Sequence, residues 1–136
     1  MTVVIIDAST LTAFLLEEEG DQEKKVRDLL IQGVSATELV ITESCNAILT
    51  ALRRRRINEE QAEKAFEVLL SFIDTNIQIF RQSESLLHQA FQNARENGLA
   101  IYDSIYIVLA KQLDGSLSSR DPKQIEIARK SGVKVI

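Results

Sequence analysis

The sequence is poor in the residues that build disulfide scaffolds, zinc centres and histidine-based active sites. Among 136 residues it has one cysteine, Cys45, one histidine, His88, and no tryptophan. A lone cysteine cannot form an internal disulfide or make a zinc site by itself, and Cys45 falls on the apolar stripe of its helix, which predicts core packing. His88 has no partner motif nearby, which disfavours a histidine-based active site and predicts a surface or boundary position. Any metal would therefore be held by oxygen atoms.

Long apolar runs and an excess of positive charge are also lacking. No run approaches the roughly 20 residues that a membrane span needs, and the N-terminal residues lack the pattern of a signal peptide, so we expect no membrane association and a cytoplasmic location. Sixteen Lys and Arg stand against twenty Asp and Glu, a formal charge of −4. This balance disfavours a simple nucleic-acid-binding module. It does not exclude an enzyme whose carboxylates are concentrated in one cleft.

A length of 136 residues with 45% apolar content predicts one compact domain spanning residues 1–136. The periodicity of the apolar residues predicts that strands alternate with helices along this domain. The β-branched run Val3–Ile6 ends at Asp7 and is typical of a central parallel strand buried on both faces. Further strands are predicted at Leu39–Ile41, Asn76–Phe80, Leu117–Ser119 and Val133–Ile136. The alternation predicts an α/β domain of three layers, α/β/α, around a mostly parallel central sheet.

Local signals set several helix boundaries. Asn58 with Gln61 three residues later predicts a capped helix start, and Ser83 predicts another that ends at Asn97-Gly98. Asp121-Pro122 predicts the start of the last long helix, because Asp suits the N-cap and Pro the first helical position. The residues expected to face inward from the helix after Ser83 are Leu86, Leu87, Ala90, Phe91 and Ala94.

Four acidic residues stand where strands end or helices begin. Asp7 and Asp121 each follow a predicted strand, whereas Glu43 and Asp103 lie at predicted helix N-termini. Each has a structural alternative, because an acidic residue caps a helix or interacts favourably with its dipole. Ligands bind at the carboxyl ends of parallel strands, however, so these four positions can converge on one edge of the sheet. Asn46 shares a helix face with Glu43 at i+3, which strengthens the functional interpretation.

The segments around these acids resemble a known family. Val3–Ser9, Glu43–Asn46, Tyr102–Tyr106 and Ser119–Asp121 closely resemble PIN domains of the VapC toxin type, and the resemblance runs nearly end to end. It implies a metal site formed by the catalytic acids Asp7, Glu43, Asp103 and Asp121, supported by Ser9, Asn46 and Ser119. The usual last motif of the family has Thr in place of Ser119, a difference that keeps the hydroxyl. The stretch before Glu43 lacks the proline often found in the family.

The resemblance implies an endoribonuclease that uses Mg²⁺ or Mn²⁺ to activate water and to neutralise charge on the phosphoryl oxygens. It further implies the toxin of a type II toxin–antitoxin system, a homodimer inhibited by a small antitoxin. Two alternatives remain. One is a PIN-domain nuclease of RNA maturation or repair without an antitoxin, and the other is a non-catalytic regulatory domain that binds metal or phosphate.

Two further features have open interpretations. The basic block Arg53, Arg54, Arg55 and Arg56 ends a predicted helix. It suits RNA phosphates, but consecutive helical residues point in several directions, and a solvated helix end matched to the dipole is the alternative. Tyr102 and Tyr106 flank the acidic site or simply fill space beside it.

Overall fold

A computed structural model of the chain describes residues 2–17 and 23–136. These residues form five strands and seven helices. The strands are β1 (Val4–Ile6), β2 (Val34–Thr37), β3 (Ile77–Phe80), β4 (Ser116–Ser118) and β5 (Lys134–Val135). The helices are α1 (Ala8–Leu15), α2 (Glu23–Gln32), α3 (Leu39–Arg53), α4 (Glu59–Thr75), α5 (Glu84–Asn97), α6 (Ile101–Gln112) and α7 (Pro122–Lys130).

The strands form one parallel sheet in the order β3-β2-β1-β4-β5. The central strand β1 alternates its side chains between two cores. Ile5 packs in one core with residues of α5, α6 and α7, and Ile6 packs in the other with residues of α1, α2, α3 and α4. Helices therefore cover both faces, and the expected three-layer α/β/α architecture with a parallel sheet is confirmed.

Several local predictions are also confirmed. Asn58 and Gln61 form a reciprocal capping box at the start of α4. The Ser83 hydroxyl accepts a hydrogen bond from the backbone of Leu86 at the start of α5, and Gly98 ends that helix with a φ of 65°. Asp121 caps α7, and Pro122 is its first residue. These signals act within a single helical turn, so they are readable from sequence alone.

The predicted strand at Leu39–Ile41 is wrong, because those residues form the first turn of α3. The second strand is Val34–Thr37, which follows Gly33 directly. Gly33 has a φ of +96°, a conformation that glycine adopts without strain, and it turns the chain from α2 into the sheet. Val34 is the one large aliphatic residue of β2, so the strand has no strong apolar pattern in the sequence. The strand is buried because it pairs with β1 on one side and with β3 on the other.

The inward face predicted for α5 is wrong at two positions. Leu86 and Ala90 are buried, but Leu87 is 38% exposed and Phe91 is 61% exposed. The helix packs mainly against α6, so it buries a narrower stripe than its apolar residues would allow. No helix among residues 2–17 and 23–136 is long and apolar enough to cross a membrane.

Candidate metal and catalytic site

Asp7 is the centre of a buried polar network at the carboxyl end of β1. Its side chain is 4% exposed and caps α1 by accepting a hydrogen bond from the Thr10 backbone N–H at 2.9 Å. The Ser9 hydroxyl lies 2.8 and 2.9 Å from the two carboxylate oxygens of Asp7. The Ser119 hydroxyl, from the loop after β4, lies 2.6 Å from Asp7 Oδ2. Ser9 reaches Asp7 from the first turn of α1, whereas the pairing of β1 with β4 brings Ser119 to the same carboxylate from 112 positions away along the chain.

Gln124 connects this network to the helix that carries Asp103. Its side chain is 1% exposed, and its Oε1 lies 2.6 Å from the Ser119 hydroxyl. Its Nε2 donates a hydrogen bond to the backbone carbonyl of Asp103 at 2.9 Å. The backbone N–H of Asp121 also donates to the Ser119 hydroxyl at 3.1 Å. Gln124 thus fixes α6 and α7 relative to the loop after β4, a role that the sequence analysis missed.

The hydrogen bonds around Ser119 bear on the protonation of Asp7. The Ser119 hydroxyl has one hydrogen but lies 2.6 Å from both Asp7 Oδ2 and Gln124 Oε1. It cannot donate to both. A protonated Asp7 would donate to Ser119 and leave the hydroxyl hydrogen for Gln124. Burial agrees with this arrangement, since it raises the pKa of Asp7, with the hydrogen bonds from Ser119, Thr10 and Ser9 opposing the shift.

Glu43 approaches the same region from α3. It is the fifth residue of the helix, so it lies in the second turn rather than in the first turn as predicted. Its Oε1 accepts a hydrogen bond of 2.8 Å from the hydroxyl of Tyr106, whose side chain is 1% exposed. Desolvation raises the pKa of Glu43, the Tyr106 hydrogen bond lowers it, and the charges of Asp103 and Asp7 raise it further. Tyr106 therefore does more than fill space.

Asp103 and Asp121 complete a set of four electrostatically connected carboxylates. Asp103 lies in the first turn of α6, which begins at Ile101 rather than at Asp103 itself. Its pKa is raised by desolvation and then by the charges of Asp121 and Asp7, with Lys123 opposing. The Asp121 carboxylate accepts hydrogen bonds from the backbone of Lys123 and Gln124 as the N-cap of α7.

The other residues predicted for the site lie apart from this network or at its edge. Asn46 is exposed on α3, three residues after Glu43. The block Arg53–Arg56 is exposed at the end of the same helix, and the ten residues from Glu43 to Arg53 correspond to about 15 Å along the helix axis. Arg53 donates a hydrogen bond to the Thr50 hydroxyl at 3.3 Å. The structure therefore does not bring the basic block to the carboxylates.

The remaining residues singled out in the sequence lie on the surface or pack against the core. His88 is exposed on α5, and Tyr102 is 53% exposed beside Asp103. Cys45 is half-buried against the core that contains Ile6, in agreement with its predicted packing role.

The donor set suits a hard divalent cation. All the candidate ligands are carboxylate oxygens, which Mg²⁺ and Mn²⁺ prefer. Among the described residues none of the four carboxylates takes part in an ion pair. Burial raises the pKa values of Asp7, Glu43 and Asp103, and neighbouring carboxylates raise those of Glu43 and Asp103 further. In the same part of the chain, no three Asp, Glu, His or Cys side chains are close enough to hold a metal ion as they stand. Coordination would therefore require side-chain rotation, which the part-exposed Asp103 allows more readily than the buried Asp7.

Residues 4–130 match the family described as the PIN domain. The chain belongs to the PIN domain family. It is 26% identical over 123 residues to Ribonuclease VapC3 of Pyrobaculum aerophilum, covering 90% of this chain and 92% of that protein.

Two solved structures share the fold. The crystal structure of PAE2754 from Pyrobaculum aerophilum has a TM-score of 0.74 at 21% identity, covering 98% of this chain and 83% of the other. VapC20 of Mycobacterium tuberculosis, described as a sarcin–ricin loop cleaving toxin, has a TM-score of 0.64 at 17% identity, covering 90% and 93%.

Proposed function

We propose that this PIN domain is an endoribonuclease that requires Mg²⁺ or Mn²⁺ and hydrolyses phosphodiester bonds in RNA. The observation that carries the proposal is the set of four carboxylates around Asp7 that interact electrostatically without a neutralising ion pair among the described residues. Such a cluster is unfavourable until a cation binds. Membership of the PIN family and the similarity to Ribonuclease VapC3 support the nuclease assignment and RNA as the substrate.

In this proposal Asp7, Glu43 and Asp103 hold the cation, and Asp121 completes the site or holds a second cation. The bound cation would activate water for in-line attack and neutralise charge on the phosphoryl oxygens. Ser9 and Ser119 orient the Asp7 carboxylate through their hydroxyls, and the backbone N–H of Arg120 donates a hydrogen bond to the Ser9 hydroxyl and holds it in place.

Two other side chains have positioning roles. Tyr106 holds one oxygen of Glu43 and leaves the other available. Gln124 holds Ser119 from the opposite side. Asn46 has a supporting role at the exposed edge near Glu43, and Arg53–Arg56 would bind RNA phosphates at a distance from the cleavage site.

The test is cleavage of a labelled RNA by purified protein in Mg²⁺, in Mn²⁺ and in EDTA. We expect cleavage with either cation and none with EDTA. Asp7→Asn should abolish cleavage while the fold is kept, because an Asn side chain can still accept the Thr10 hydrogen bond but lacks the charge. Cleavage in EDTA, or full activity of Asp7→Asn, would refute the proposed site. Cation binding without any cleavage would instead favour a regulatory domain.

We further propose that the protein is the toxin of a type II toxin–antitoxin system and that a small antitoxin inhibits it. VapC20, which shares the fold, is a toxin. The acidic cluster suits an arginine of the partner, because a guanidinium can form bidentate hydrogen bonds with carboxylates that lack a cation. Inhibition should therefore weaken as Mn²⁺ is titrated. Inhibition that is independent of Mn²⁺ and unchanged by Arg→Ala substitutions in the partner would refute occupation of the cleft.

A homodimer is the proposed assembly. Apolar side chains are exposed on the packed helices α5 and α6, with Leu87 38%, Phe91 61% and Tyr102 53% exposed. Exposed apolar groups of this kind mark association surfaces. Sedimentation of the wild type should give a dimer, and Phe91→Glu should give a monomer. A monomeric wild type would refute the dimer.

A further inference from the structure

A cleft of about 530 Å³ opens beside the carboxylate network, on the side of β4 and β5. Its lining includes the polar side chains of Lys25, Ser119, Arg120 and Arg129, together with Thr10. No acidic side chain is among the described residues that line it, and Val26, Ile125, Val135 and Ile136 form apolar parts of its wall. We call this region the basic cleft.

The basic cleft is electrostatically unlike the rest of the protein. The chain has a formal charge of −4, yet Lys25 and Arg129 both line this cleft, in addition to Arg120. A cavity of about 500 Å³ near Ile57 has Glu17, Glu23 and Glu60 beside its two cations. A third cavity, about 620 Å³, has Asp74 and no Lys or Arg among its described lining residues. Of these three cavities, the one that adjoins the site is the one whose described lining has cations and no acidic side chain.

The basic cleft shares a residue with the carboxylate network. Ser119 lines the cleft, and its hydroxyl lies 2.6 Å from Asp7 Oδ2. A nucleic acid that brings one phosphate to Asp7 would therefore have its neighbouring phosphates at the mouth of the cleft. These phosphates must approach a negative cluster, so nearby cations are needed to offset the repulsion.

A second observation points to a ligand in the same place. Thr10 lines the cleft and is 3% exposed; its side chain is close enough to Asp7 to lower the pKa of that carboxyl, but its hydroxyl makes no hydrogen bond of normal geometry among the described residues. A buried hydroxyl without a partner is unfavourable and unusual in folded proteins. A phosphate oxygen, or a water molecule bound to it, would accept this hydrogen bond.

We propose that the basic cleft is a binding subsite for the RNA backbone, in which Lys25 and Arg129 contact phosphates that flank the scissile bond. The two side chains come from different helices, α2 and α7, and both are exposed, so they can follow an extended strand. Arg120 adds positive charge to the wall, and the test below does not depend on it. The identity of the polyanion as RNA rests on the proposed function.

The experiment compares Lys25→Gln/Arg129→Gln with a control, Lys111→Gln/Lys130→Gln. The control removes the same charge from exposed positions in the last turns of α6 and α7, outside the lining of the cleft. Binding of a fluorescein-labelled single-stranded 12-nucleotide RNA is measured by polarisation in Mg²⁺, with Asp103→Asn present in every protein so that the probe stays intact.

We expect the cleft variant to weaken RNA binding roughly tenfold at physiological salt. The slope of log K against log salt should fall in magnitude by about 1.4, since each single-strand phosphate contact contributes about 0.7. With Asp103 restored, KM should rise while kcat stays unchanged.

Equal affinity and equal salt slope for the cleft and control variants would overturn the inference, whether or not the wild type cleaves RNA. If the wild type fails to cleave RNA but the cleft variant still loses affinity, the subsite stands and the proposed function fails. A cleft variant that loses affinity for a polyglutamate probe and keeps its RNA affinity would also overturn the inference, because it would assign the cleft to an acidic protein segment.

Discussion

Removing the hydroxyl of Tyr106 tests whether the tyrosine positions Glu43 or only fills space. Tyr106 is 1% exposed, and its hydroxyl donates a 2.8 Å hydrogen bond to Glu43 Oε1. Tyr106→Phe keeps the buried ring and deletes only this donor. Any change in activity is then attributable to the contact with Glu43 rather than to lost packing.

The expected loss of stability is modest. A hydrogen bond to a charged group contributes about 1.5–3 kcal/mol. Glu43 is only partly buried, so water can replace part of the contact, and we expect a net cost of about 1–2 kcal/mol in the free energy of unfolding. For a domain of this size, that corresponds to a fall of roughly 3–8 °C in melting temperature.

The effect on the pH dependence of activity has a defined sign. The Tyr106 hydrogen bond lowers the pKa of Glu43, whereas desolvation and the charges of Asp103 and Asp7 raise it. Without the hydroxyl, the pKa of Glu43 rises further. Glu43 must be ionised to hold a cation in the proposed function, so the acidic limb of the activity profile should move to higher pH.

The assay is the rate of cleavage of a labelled RNA from about pH 5 to about pH 9 at fixed Mn²⁺. Tyr102→Phe is the matched control, because it deletes the same hydroxyl from a side chain that is 53% exposed. Its profile should coincide with that of the wild type. A Tyr106→Phe profile that also coincides, or that moves to lower pH, would refute the positioning role.

Three other predictions follow from the same geometry. Asp103→Asn should abolish cleavage and make the cation-free protein at least as stable as the wild type near neutral pH. The pKa of Asp103 is raised above 3.8 in the folded protein, so the contribution of Asp103 to the free energy of unfolding is complete below that pH and is lost as pH rises through the folded-state pKa. The advantage of the mutant in melting temperature in EDTA should therefore grow from acidic to neutral pH. A falling advantage would contradict this prediction. Replacing Arg53–Arg56 with Gln should weaken cleavage and flatten its salt dependence without changing the cut site, and an unaltered salt dependence would favour the solvated-helix alternative. Gln124→Met should lower the free energy of unfolding by about 1–3 kcal/mol in a urea titration, since it removes the two buried hydrogen bonds of the Gln124 amide with Ser119 and with the Asp103 carbonyl. A loss below about 1 kcal/mol would show that the Gln124 contacts contribute little.

Local chemistry explains which parts of the fold were predictable. The N-caps Asn58, Ser83 and Asp121 satisfy backbone groups within their own first turn, so their sequence signals need no tertiary information. The β-branched run before Asp7 likewise predicts strand β1 from its own residues, without tertiary information. The position of β2 was missed because Val34–Thr37 has small side chains whose burial depends on neighbouring strands.

The strand order could not be predicted by these local signals. It depends on which strands pair, and β1 lies between β2 and β4, which are separated by most of the chain. That order decides the site, since it places Ser119 next to Asp7. The placement of the acidic residues near one edge followed from the general rule for parallel sheets, but the particular partners did not.

Sequence reasoning missed the role of Gln124 and left Tyr106 with two alternative interpretations. Tyr106 lies three residues after Asp103 and shares its helix face, a signal that could have placed it beside the acids. Gln124 lies three residues after the N-cap Asp121, where a capping box would use it. In the structure the Gln124 side chain instead contacts Ser119 and the carbonyl of Asp103. These contacts depend on the packing of α6 against α7, which the sequence pattern does not reveal.

The helix N-termini reduce the electrostatic cost of the acidic cluster. Asp7 and Asp121 cap α1 and α7, and Asp103 lies in the first turn of α6, so each is near the positive end of a helix dipole. The nearby Lys123 lowers the pKa of Asp103, but its Nζ donates a 2.7 Å hydrogen bond to the carbonyl of Gly98 and it forms no ion pair among the described residues. The partial positive charges of the helix ends reduce the repulsion between the carboxylates but do not neutralise it. The helix ends and Lys123 therefore reduce the repulsion within the cluster without an ion pair among the described residues, an arrangement that suits the cation of the proposed function.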